Sequence, residues 1–411
     1  MNKTKKNKII NDPIYGFITL ERGIIFDLIE HPFFQRLRRI TQLGLSYLVY
    51  PGAYHTRFHH ALGCMHLMEK SIFQIRNKGH EITDEEAKSL KIAILLHDIG
   101  HGPFSHALEN SIVNNISHED LSNLFMKKLN KEFNGELTLA IQIFNNKYPK
   151  KFLHQLVSSQ LDMDRLDYLK RDSFFTGVTE GNIGTERIIH MIDVVNDQLV
   201  IEEKGVYSIE KFLIARRLMY WQVYLHKTVL SAENTLIKIL QRAKYLISIK
   251  KDISSSTHLK IFLENNYNLT DFENNETLIE TFAKLDDHDI YSCIKEWESH
   301  SDFILSSLCK RILNRKPLKI KIQNTKFRKD EITKQKEKTK QHFNITDEEV
   351  NYLVFTKKVS NNTYQNSKTQ INILMKNGEI KDITDASDQF NVDTVSKTVN
   401  KYFLCFPELT N

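Results

Sequence analysis

The segment from Glu85 to about His97 constrains the fold of this chain most strongly, because it is apolar on nearly every side. A helix of this composition has no face to turn to water and must be enclosed by other elements. The segment ends at the pair His97-Asp98, and a turn containing glycine and proline follows. A buried carboxylate needs a counter-charge or a metal ion, so the pair marks a candidate site. For the dipeptide alone, a helix end capped by the imidazole is the commoner explanation.

Helical periodicity dominates most of the chain, which predicts a mainly α-helical fold with small β-hairpins and a C-terminal α+β lobe. Alternation around a Pro/Gly turn predicts a hairpin over 9–20, and a second hairpin is expected over 198–207, turning at Lys204-Gly205. Beyond a highly charged stretch, Asn377-Gly378 predicts a further hairpin turn. We expect three parts: a core over 1–325, a charged linker or helix over 326–345, and a small lobe over 346–411.

The composition excludes several classes of protein. The 411 residues contain no apolar run near the ~20 residues that cross a bilayer, and no signal peptide is evident. The four cysteines are far apart, which argues against a zinc ribbon or a disulfide framework. A cytoplasmic protein without membrane contact is therefore expected. The net charge of +6 suits polyphosphate ligands and does not exclude nucleic acid, although solvated ends and linkers account for much of it.

Histidines concentrate in one part of the chain. Ten of the 17 fall between His31 and His118, and imidazole is both a frequent metal ligand and a frequent acid–base group. His60 lies on the apolar face of its helix, and three aspartates interrupt an otherwise apolar stretch at 161–168. Two imidazoles and two carboxylates would suit Mn, Fe, Mg or Zn. Taken alone, the aspartates could equally be charges on a helix surface.

The ordered set His60, His97-Asp98 and Asp164 resembles the H…HD…D signature of the HD-domain superfamily. Longer matches make the chain similar to the deoxynucleoside triphosphate (dNTP) triphosphohydrolases, which include the vertebrate SAM-and-HD-domain enzyme and bacterial dGTPase-like proteins. The segments that carry this resemblance are 34–44, 51–52, 57–60, 97–106, 117–119 and 162–172. The family usually has an acidic residue before its first ligand, where this chain has His59. His59 and His60 therefore compete as the ligand, and we favour His60.

The resemblance implies an HD-domain helical core that hydrolyses dNTP to deoxynucleoside and inorganic triphosphate with a divalent metal ion (Mn, Mg, Fe or Zn). The implied metal ligands are His60, His97, Asp98 and Asp164. His106 would protonate the leaving 5′-oxygen, and His118 paired with Glu109 would act around the α-phosphate. From the residues alone, His106 could instead cap the next helix and His118 could lie exposed in a first helical turn.

The same resemblance implies a nucleotide pocket. Guanidinium groups bind phosphate oxygens in a bidentate manner, and the candidate phosphate contacts are Arg57, His101 and Arg165. Gln42 resembles the family's contact to the sugar 3′-hydroxyl. The walls of the sugar pocket would be Tyr168, Asp172 and Tyr224, where a closely packed tyrosine can exclude a 2′-hydroxyl. By spacing alone, Tyr224 belongs equally well to an aromatic core stripe.

In the family, nucleotides also bind between subunits and hold an active oligomer together. The positions that resemble this regulatory pocket are Lys8, Asn11, Glu30, Gln35, Arg38, Arg311 and Arg315. They predict a dimer or tetramer activated by GTP or dGTP, since Glu30 stands where the family has an acidic base-reading residue. A solvated monomer surface would carry the same charges. Rival functions are hydrolysis of another nucleotide or of single-stranded nucleic acid, and nucleotide sensing without catalysis.

Overall fold

The computed structural model describes residues 7–113, 115–361, 364, 370–388 and 398–409. Most of this part is helical, which confirms the predicted mainly α class. Its α-helices are α1 (Ile24–Glu30), α2 (Pro32–Gln35), α3 (Arg57–Asn77), α4 (Asp84–Leu96), α5 (Glu109–Ile112), α6 (His118–Glu132), α7 (Thr138–Phe144), α8 (Lys151–Val157), α9 (Met163–Thr176), α10 (Thr185–Met191), α11 (Val206–Met219), α12 (Lys227–Ser248), α13 (Thr257–Glu264), α14 (Leu269–Asn274), α15 (Glu276–Phe282), α16 (Asp287–Trp297), α17 (Phe303–Leu313), α18 (Lys329–Phe343), α19 (Val350–Leu353) and α20 (Ile383–Ala386).

Short strands form three small sheets in the described chain. The strands are β1 (Lys8–Asp12), β2 (Gly16–Leu20), β3 (Ile192–Val195), β4 (Gln198–Glu202), β5 (Lys319–Gln323), β6 (Phe355–Asn361), β7 (Asn372–Leu374), β8 (Ile380–Asp382) and β9 (Val399–Phe406). The sheet orders are β1-β2, β3-β4-β7-β8 and β5-β9-β6, and only the β4–β7 pair is parallel.

Helix α4 is the core helix that its composition predicts. Thr83 caps its start: the hydroxyl oxygen accepts a hydrogen bond from the Glu86 amide at 3.2 Å, and the Glu86 carboxylate accepts one from the Thr83 amide at 2.8 Å. The aliphatic residues of its last two turns are fully buried. Helices α3, α7 and α8 pack against it, and α9 packs against α3. This arrangement places the end of α4 beside the first turn of α3 and the start of α9.

The hairpins agree only in part with their predictions. The β1–β2 hairpin and the turn at Asn377-Gly378 form as expected, with Gly378 at φ 85°. The second hairpin is β3–β4, and its turn lies at Asn196-Asp197 rather than at Lys204-Gly205. Asn196 and Asp197 both adopt left-handed φ, which asparagine and aspartate tolerate well. The pair Lys204-Gly205 instead lies in a 3₁₀ turn that leads into α11.

Sheet pairing ties the C-terminal segment to the rest of the chain. The charged stretch forms helix α18, one of its two predicted forms. Strand β5, which precedes the expected boundary at 325, pairs with β9, and β4 pairs with β7. The proposed division at 325 and 345 stays a prediction. Within the described chain, no helix combines the length and apolarity needed to cross a lipid bilayer.

Candidate functional site

Four predicted metal ligands meet where α3, α4 and α9 come together. His60 Nε2 lies 3.1 Å from Asp164 Oδ1 and 3.6 Å from Asp98 Oδ2. His97 Nε2 lies 3.5 Å from Asp98 Oδ1 and 3.7 Å from Asp164 Oδ1. His60 is completely buried, whereas Asp164 retains some exposure. We refer to these four residues as the ligand group.

The spacing of the ligand group fits one divalent ion. Adjacent donors held about 2.1 Å from a metal lie roughly 3.0 Å apart in an octahedron and roughly 3.4 Å apart in a tetrahedron. The four separations of 3.1–3.7 Å are close to these values. His97 Nε2 is buried and makes no hydrogen bond to the described protein. A bound cation would satisfy that nitrogen and neutralise the carboxylates.

Hydrogen bonds orient both imidazoles toward the centre of the ligand group. His60 Nδ1 donates to Asp167 Oδ2 at 2.7 Å, and His97 Nδ1 donates to the Ile94 carbonyl at 2.6 Å. Each bond places the proton on Nδ1 and leaves the Nε2 lone pair facing the candidate metal position. Ligating histidines in metal centres are held in this way.

The three clustered aspartates have three different roles. Asp162 caps α9, accepting hydrogen bonds from the amides of Arg165 and Ser159, both at 2.8 Å. Asp164 belongs to the ligand group. Asp167 binds His60 and also accepts from Arg171 Nε at 2.9 Å. Burial favours a higher pKa for Asp167, but Arg171 and His60 outweigh it and lower the pKa to about 2.

A glycine allows this contact between α3 and α9. A β-carbon at Gly63 would lie 2.0 Å from Asp167 Oδ1 and 2.3 Å from Arg171 Nη2. Arg171 in turn donates to Asp12 at 2.8 Å, linking the N-terminal hairpin to the site. The paired charges of α9 can therefore pack directly against α3 only because position 63 has no side chain.

Asp98 is held by an arginine that the sequence assigned to phosphate. Arg57 Nη1 donates to Asp98 Oδ2, and Arg57 Nε donates to Ser105 Oγ at 2.7 Å. Burial favours a higher pKa for Asp98, but Arg57 and His97 hold the pKa well below its ordinary value. Asp98 is thus ionised and available to a metal, and Arg57 already has two protein partners.

Two further side chains, His59 and Cys64, lie near the ligand group and are not counted among its members. His59 Nδ1 accepts hydrogen bonds from the Thr56 amide at 3.2 Å and the Thr56 hydroxyl at 2.9 Å, so His59 caps α3. Cys64 Sγ lies 3.5 Å from His60 Nδ1 and 3.6 Å from its Nε2. The sulfur also lies within 4.8 Å of donor atoms of His97 and Asp164, but burial raises the pKa of the Cys64 thiol and so disfavours the thiolate that would bind a metal.

Three histidines form a second group next to Asp98, here called the three-histidine group: His101, His106 and His118. The rings of His101 and His118 stack with centroids 4.0 Å apart, and His106 meets them edge-on at 4.8 and 5.1 Å. His101 Nε2 lies 3.4 Å from Asp98 Oδ1. Burial and the Arg57 charge hold the pKa of His101 well below its ordinary value, so this ring is neutral.

Backbone geometry explains how the three-histidine group assembles. A β-carbon at Gly100 would lie 2.3 Å from the His118 carbonyl oxygen, so α6 packs directly on this glycine. The Ser122 hydroxyl donates to the His97 carbonyl at 2.7 Å and accepts from the Gly100 amide at 2.9 Å. The side chain of Glu109 lies outside the described residues, so its pairing with His118 stays a prediction.

The expected sugar-pocket residues also lie together. Asp172 accepts hydrogen bonds from Tyr224 Oη at 2.8 Å and from His55 Nε2 at 2.7 Å. The Tyr168 and Tyr224 rings meet edge-on at 6.1 Å. Tyr224 ends a π-helical turn, Tyr220–Tyr224, a rare geometry that is frequent at functional sites. His55 was missed by sequence reasoning, although it stands within the histidine-rich part of the chain.

Several buried polar atoms nearby have no protein partner within the described chain: Gln42 Oε1, Arg165 Nε and Arg216 Nε. Arg165 Nη1 donates to Asp162, and Arg216 Nη1 donates to Gln160 at 2.9 Å. Burial raises the pKa of Tyr168, while the charge of Arg216 opposes that rise, which places Arg216 beside the tyrosine. Arg216 was not predicted. The pair Arg216-Arg217, which follows the apolar run 212–215 in α11, was the available signal.

The proposed regulatory residues fall into two groups. Near the N-terminus, Lys8 Nζ lies 2.9 Å from Glu30, Arg38 Nε donates to Gln35 at 2.8 Å, and Asn11 is exposed on β1. At the end of α17, Arg311 donates to the Lys316 carbonyl at 3.5 Å, and Arg315 donates to the Leu48 carbonyl at 2.7 Å. The ion pairs and hydrogen bonds of the described residues do not join the two groups.

Comparison with known proteins places this geometry in context. The HD domain model matches residues 57–172, and the HD associated region model matches residues 183–261. A crystal structure of a phosphohydrolase from Bacteroides thetaiotaomicron is 52% identical, with a TM-score of 0.95 over 98% of this chain and 100% of that chain. The uncharacterised protein YwfO of Bacillus subtilis is 38% identical over 76% of this chain and 71% of its own length.

A deoxynucleoside triphosphate triphosphohydrolase SAMHD1 homolog from Dictyostelium discoideum is 32% identical over 61% of this chain. The matching region spans 52% of that relative, so the chain corresponds to about half of the larger protein. The HD domain match, residues 57–172, includes the whole ligand group and the whole three-histidine group.

Proposed function

Because the chain belongs to the HD-domain phosphohydrolase family, which also contains dNTP triphosphohydrolases, we propose that it hydrolyses dNTPs at the α-phosphate. The products would be the deoxynucleoside and inorganic triphosphate. The ligand group would hold one divalent ion, Mn, Mg, Fe or Zn. When bound, such an ion polarises a phosphate oxygen and lowers the pKa of bound water.

The observation that carries the proposal is the direct contact between the ligand group and the three-histidine group. Asp98 belongs to the first, and His101 lies 3.4 Å from it in the second. A candidate metal position and a source of protons therefore lie side by side. His106 is the most exposed of the three histidines and is the proposed acid for the leaving 5′-oxygen. His118, paired with Glu109, would orient or stabilise the α-phosphate.

Preference for deoxynucleotides is attributed to the pair of Tyr224 and Asp172. The hydrogen bond between them, together with the one from His55, fixes the tyrosine ring beside Tyr168. A rigid ring in this place would leave no room for a 2′-hydroxyl. The unsatisfied polar atoms of Arg165 and Gln42 would bind phosphate and the sugar 3′-hydroxyl respectively.

The test is incubation with each dNTP and each ribonucleoside triphosphate in the presence of Mn or Mg, with products separated by ion-exchange chromatography. Deoxynucleoside plus inorganic triphosphate is expected from dNTPs only. Release of monophosphate and pyrophosphate, or equal turnover of ribonucleotides, would contradict the proposal. A single-stranded oligonucleotide in the same assay distinguishes a nuclease.

His97→Ala serves as the matched control for that assay. It removes one of only four protein ligands, so metal content and hydrolysis should be lost together. Elemental analysis of the purified variant measures the first and chromatography the second. Stoichiometric metal with wild-type turnover would contradict the assignment of the ligand group.

We further propose that guanine nucleotide binding between subunits promotes an active homo-oligomer. The support is the N-terminal regulatory group, where Lys8, Glu30, Gln35 and Arg38 lie near one another at the surface. The second group, Arg311 and Arg315, would then come from a neighbouring subunit. The two cationic groups lie at separate places on one subunit. A subunit interface is the simplest way to bring both to one triphosphate.

A further inference from the structure

Two catalytic segments that are far apart in sequence are bound by one carboxylate of α16. Asp287 Oδ2 accepts hydrogen bonds from the Thr41 amide at 2.9 Å and the Thr41 hydroxyl at 2.7 Å. Asp287 Oδ1 accepts from the Phe104 amide at 2.6 Å. The residue is only 7% exposed. Thr41 precedes Gln42, the proposed sugar contact, and Phe104 lies two residues before His106, the proposed acid.

The segment that contains Phe104 has an unfavourable backbone. Phe104 and Ser105 adopt φ of 55° and 54°, a left-handed conformation that non-glycine residues rarely take, and they do so consecutively. Such a conformation persists only where surrounding contacts hold it. Asp287 binds the first amide of this pair, and the Ser105 hydroxyl donates to the Thr41 carbonyl at 2.6 Å. The two segments are therefore joined twice.

We infer that Asp287 is a positioning residue, which holds His106 and Gln42 at a fixed separation around the nucleotide by binding Thr41 and Phe104 together. This inference rests on the proposed dNTP hydrolysis. The acid and the sugar contact come from different parts of the chain, so an error in their relative placement misaligns the proton donor with the leaving oxygen. Asp287 itself would touch neither substrate nor metal.

The charge state of Asp287 determines whether it can accept all three bonds. Burial raises the pKa of Asp287 to about 6, against the lowering effect of the Phe104 and Thr41 hydrogen bonds. Neighbouring charged or titratable groups are Asp286, paired with Arg39 at 2.5 Å, the buried Arg36 and the half-buried Tyr47. Below about pH 6 the carboxyl becomes protonated, and one acceptor position becomes a donor facing other donors.

The neighbouring residue provides a matched control. Asp286 is equally buried at 7%, but it binds Arg39 and caps α16 without bonding to Thr41 or Phe104 among the described contacts. Asp287→Asn preserves shape while turning an amide N–H toward one of the three donors. Asp286→Asn removes the same charge and retains a residue that caps helices well.

Hydrogen–deuterium exchange tests, independently of activity, whether Asp287 holds the Thr41 and Phe104 segments together. In Asp287→Asn, peptides covering 41–44 and 104–107 should exchange faster than in the wild type, and in Asp286→Asn they should not. Unchanged exchange in both peptides would show that Asp287 does not hold the two segments together. If the wild type hydrolyses no dNTP, the proposed function fails, and this result still shows whether Asp287 binds the two segments.

Kinetics test the positioning role. Asp287→Asn should keep its metal and a cooperative thermal transition but lose kcat by about 10²-fold, the cost of a displacement near 1 Å. The wild type should lose kcat as pH falls through about 6, and the variant should lack this acidic limb. Faster exchange with unchanged kcat, or the same acidic limb in the variant, would overturn the inference.

Thr41→Val gives a second route to the same answer. It removes the hydroxyl donor while keeping the side-chain shape and the backbone amide bond. Its kcat should fall less than that of Asp287→Asn, and the double variant should be no slower than Asp287→Asn alone. Additive losses would show that Thr41 acts independently of Asp287 and would overturn the shared role.

Discussion

Asp167 connects the metal position to the packing of the core. It accepts the His60 Nδ1 proton and two hydrogen bonds from Arg171, and all three side chains are buried. We predict that Asp167→Asn weakens metal affinity about 10–100-fold, because the imidazole loses its charged acceptor. Stability should fall by about 3 kcal/mol, since Arg171 keeps only Asp12 as a charged partner.

Calorimetric metal titration and urea unfolding measure these two effects. Asp382→Asn is the control, because Asp382 is also a buried aspartate but binds Tyr364 in the C-terminal segment. It should change stability without changing metal affinity. Wild-type metal affinity in Asp167→Asn would contradict the orienting role.

The pH dependence of stability follows from the same carboxylate. The pKa of Asp167 is lowered to about 2 in the folded protein, against an ordinary value of ~3.9. Its contribution to stability is therefore complete above about pH 4 and is lost as pH falls toward 2. In urea unfolding between pH 5 and 2, the free energy of unfolding should fall less steeply with decreasing pH in Asp167→Asn than in the wild type. Identical slopes would show that other groups account for acid unfolding.

His106 provides the test of the acid catalyst at the same scale. His106→Ala should keep metal and nucleotide binding and lose turnover by ~10²–10⁴-fold, the range of a lost general acid. Elemental analysis, nucleotide titration and initial rates measure the three properties. Near-normal kcat, or loss of metal as well, would assign His106 another role.

At the scale of elements, the crossing of α3 and α9 determines the site. Gly63→Ala would push a methyl group against Asp167 and Arg171, so we predict a loss of about 1–3 kcal/mol with weakened metal binding. Gly184→Ala is the control, since its added carbon would meet only Arg187 Cβ at 3.9 Å and its φ is −80°. Thermal unfolding of the two variants distinguishes them; equal stability would mean that α9 relaxes without cost.

The π-helical turn between α11 and α12 is a place where residue spacing in the sequence could not predict the role of a side chain. Tyr220 and Tyr224 stand four residues apart, as in a regular amphipathic helix, and that pattern suits a core stripe or a pocket wall equally. In the structure both tyrosines are only partly buried and their rings lie 5.2 Å apart. The bond from Tyr224 to Asp172 crosses to α9, and periodicity along one helix contains no information about such a contact.

At the scale of the whole molecule, the question is whether nucleotide controls assembly. We predict that GTP or dGTP raises both the oligomer mass and the hydrolysis rate of other dNTPs, and that Arg38→Ala reduces both effects while retaining metal. Arg38 donates to Gln35, and its guanidinium lies 3.5 Å above the Phe58 ring. Its replacement would therefore remove a fixed cation.

Light scattering and single-dNTP assays, each with and without guanine nucleotide, measure this prediction. Arg76→Ala is the control, because Arg76 is a partly exposed arginine whose ion-pair partner, Asp84, does not belong to the N-terminal group. It should respond to nucleotide as the wild type does. If mass and rate are both indifferent to nucleotide, the enzyme is constitutive.

The sequence by itself determined the helical class, the enclosed helix α4 and the family, because apolar periodicity and short motifs are properties of neighbouring residues. It also selected a ligand group whose members the structure brings together. Only the tertiary structure decided which aspartate binds what, since Asp162, Asp164 and Asp167 are chemically identical. Their roles follow from the direction each takes from the first turns of α9.

The same reason explains why the sequence did not reveal three of the residues discussed above. His55, Arg216 and Asp287 act through partners that lie 117, 56 and 183 or more residues away. Local pattern cannot reveal such pairs, because the distance between their atoms is set by how whole helices pack. The turn position is a similar case. Val195 pairs with Gln198, which leaves a two-residue loop, and Asn196 and Asp197 adopt the left-handed φ that such a loop requires.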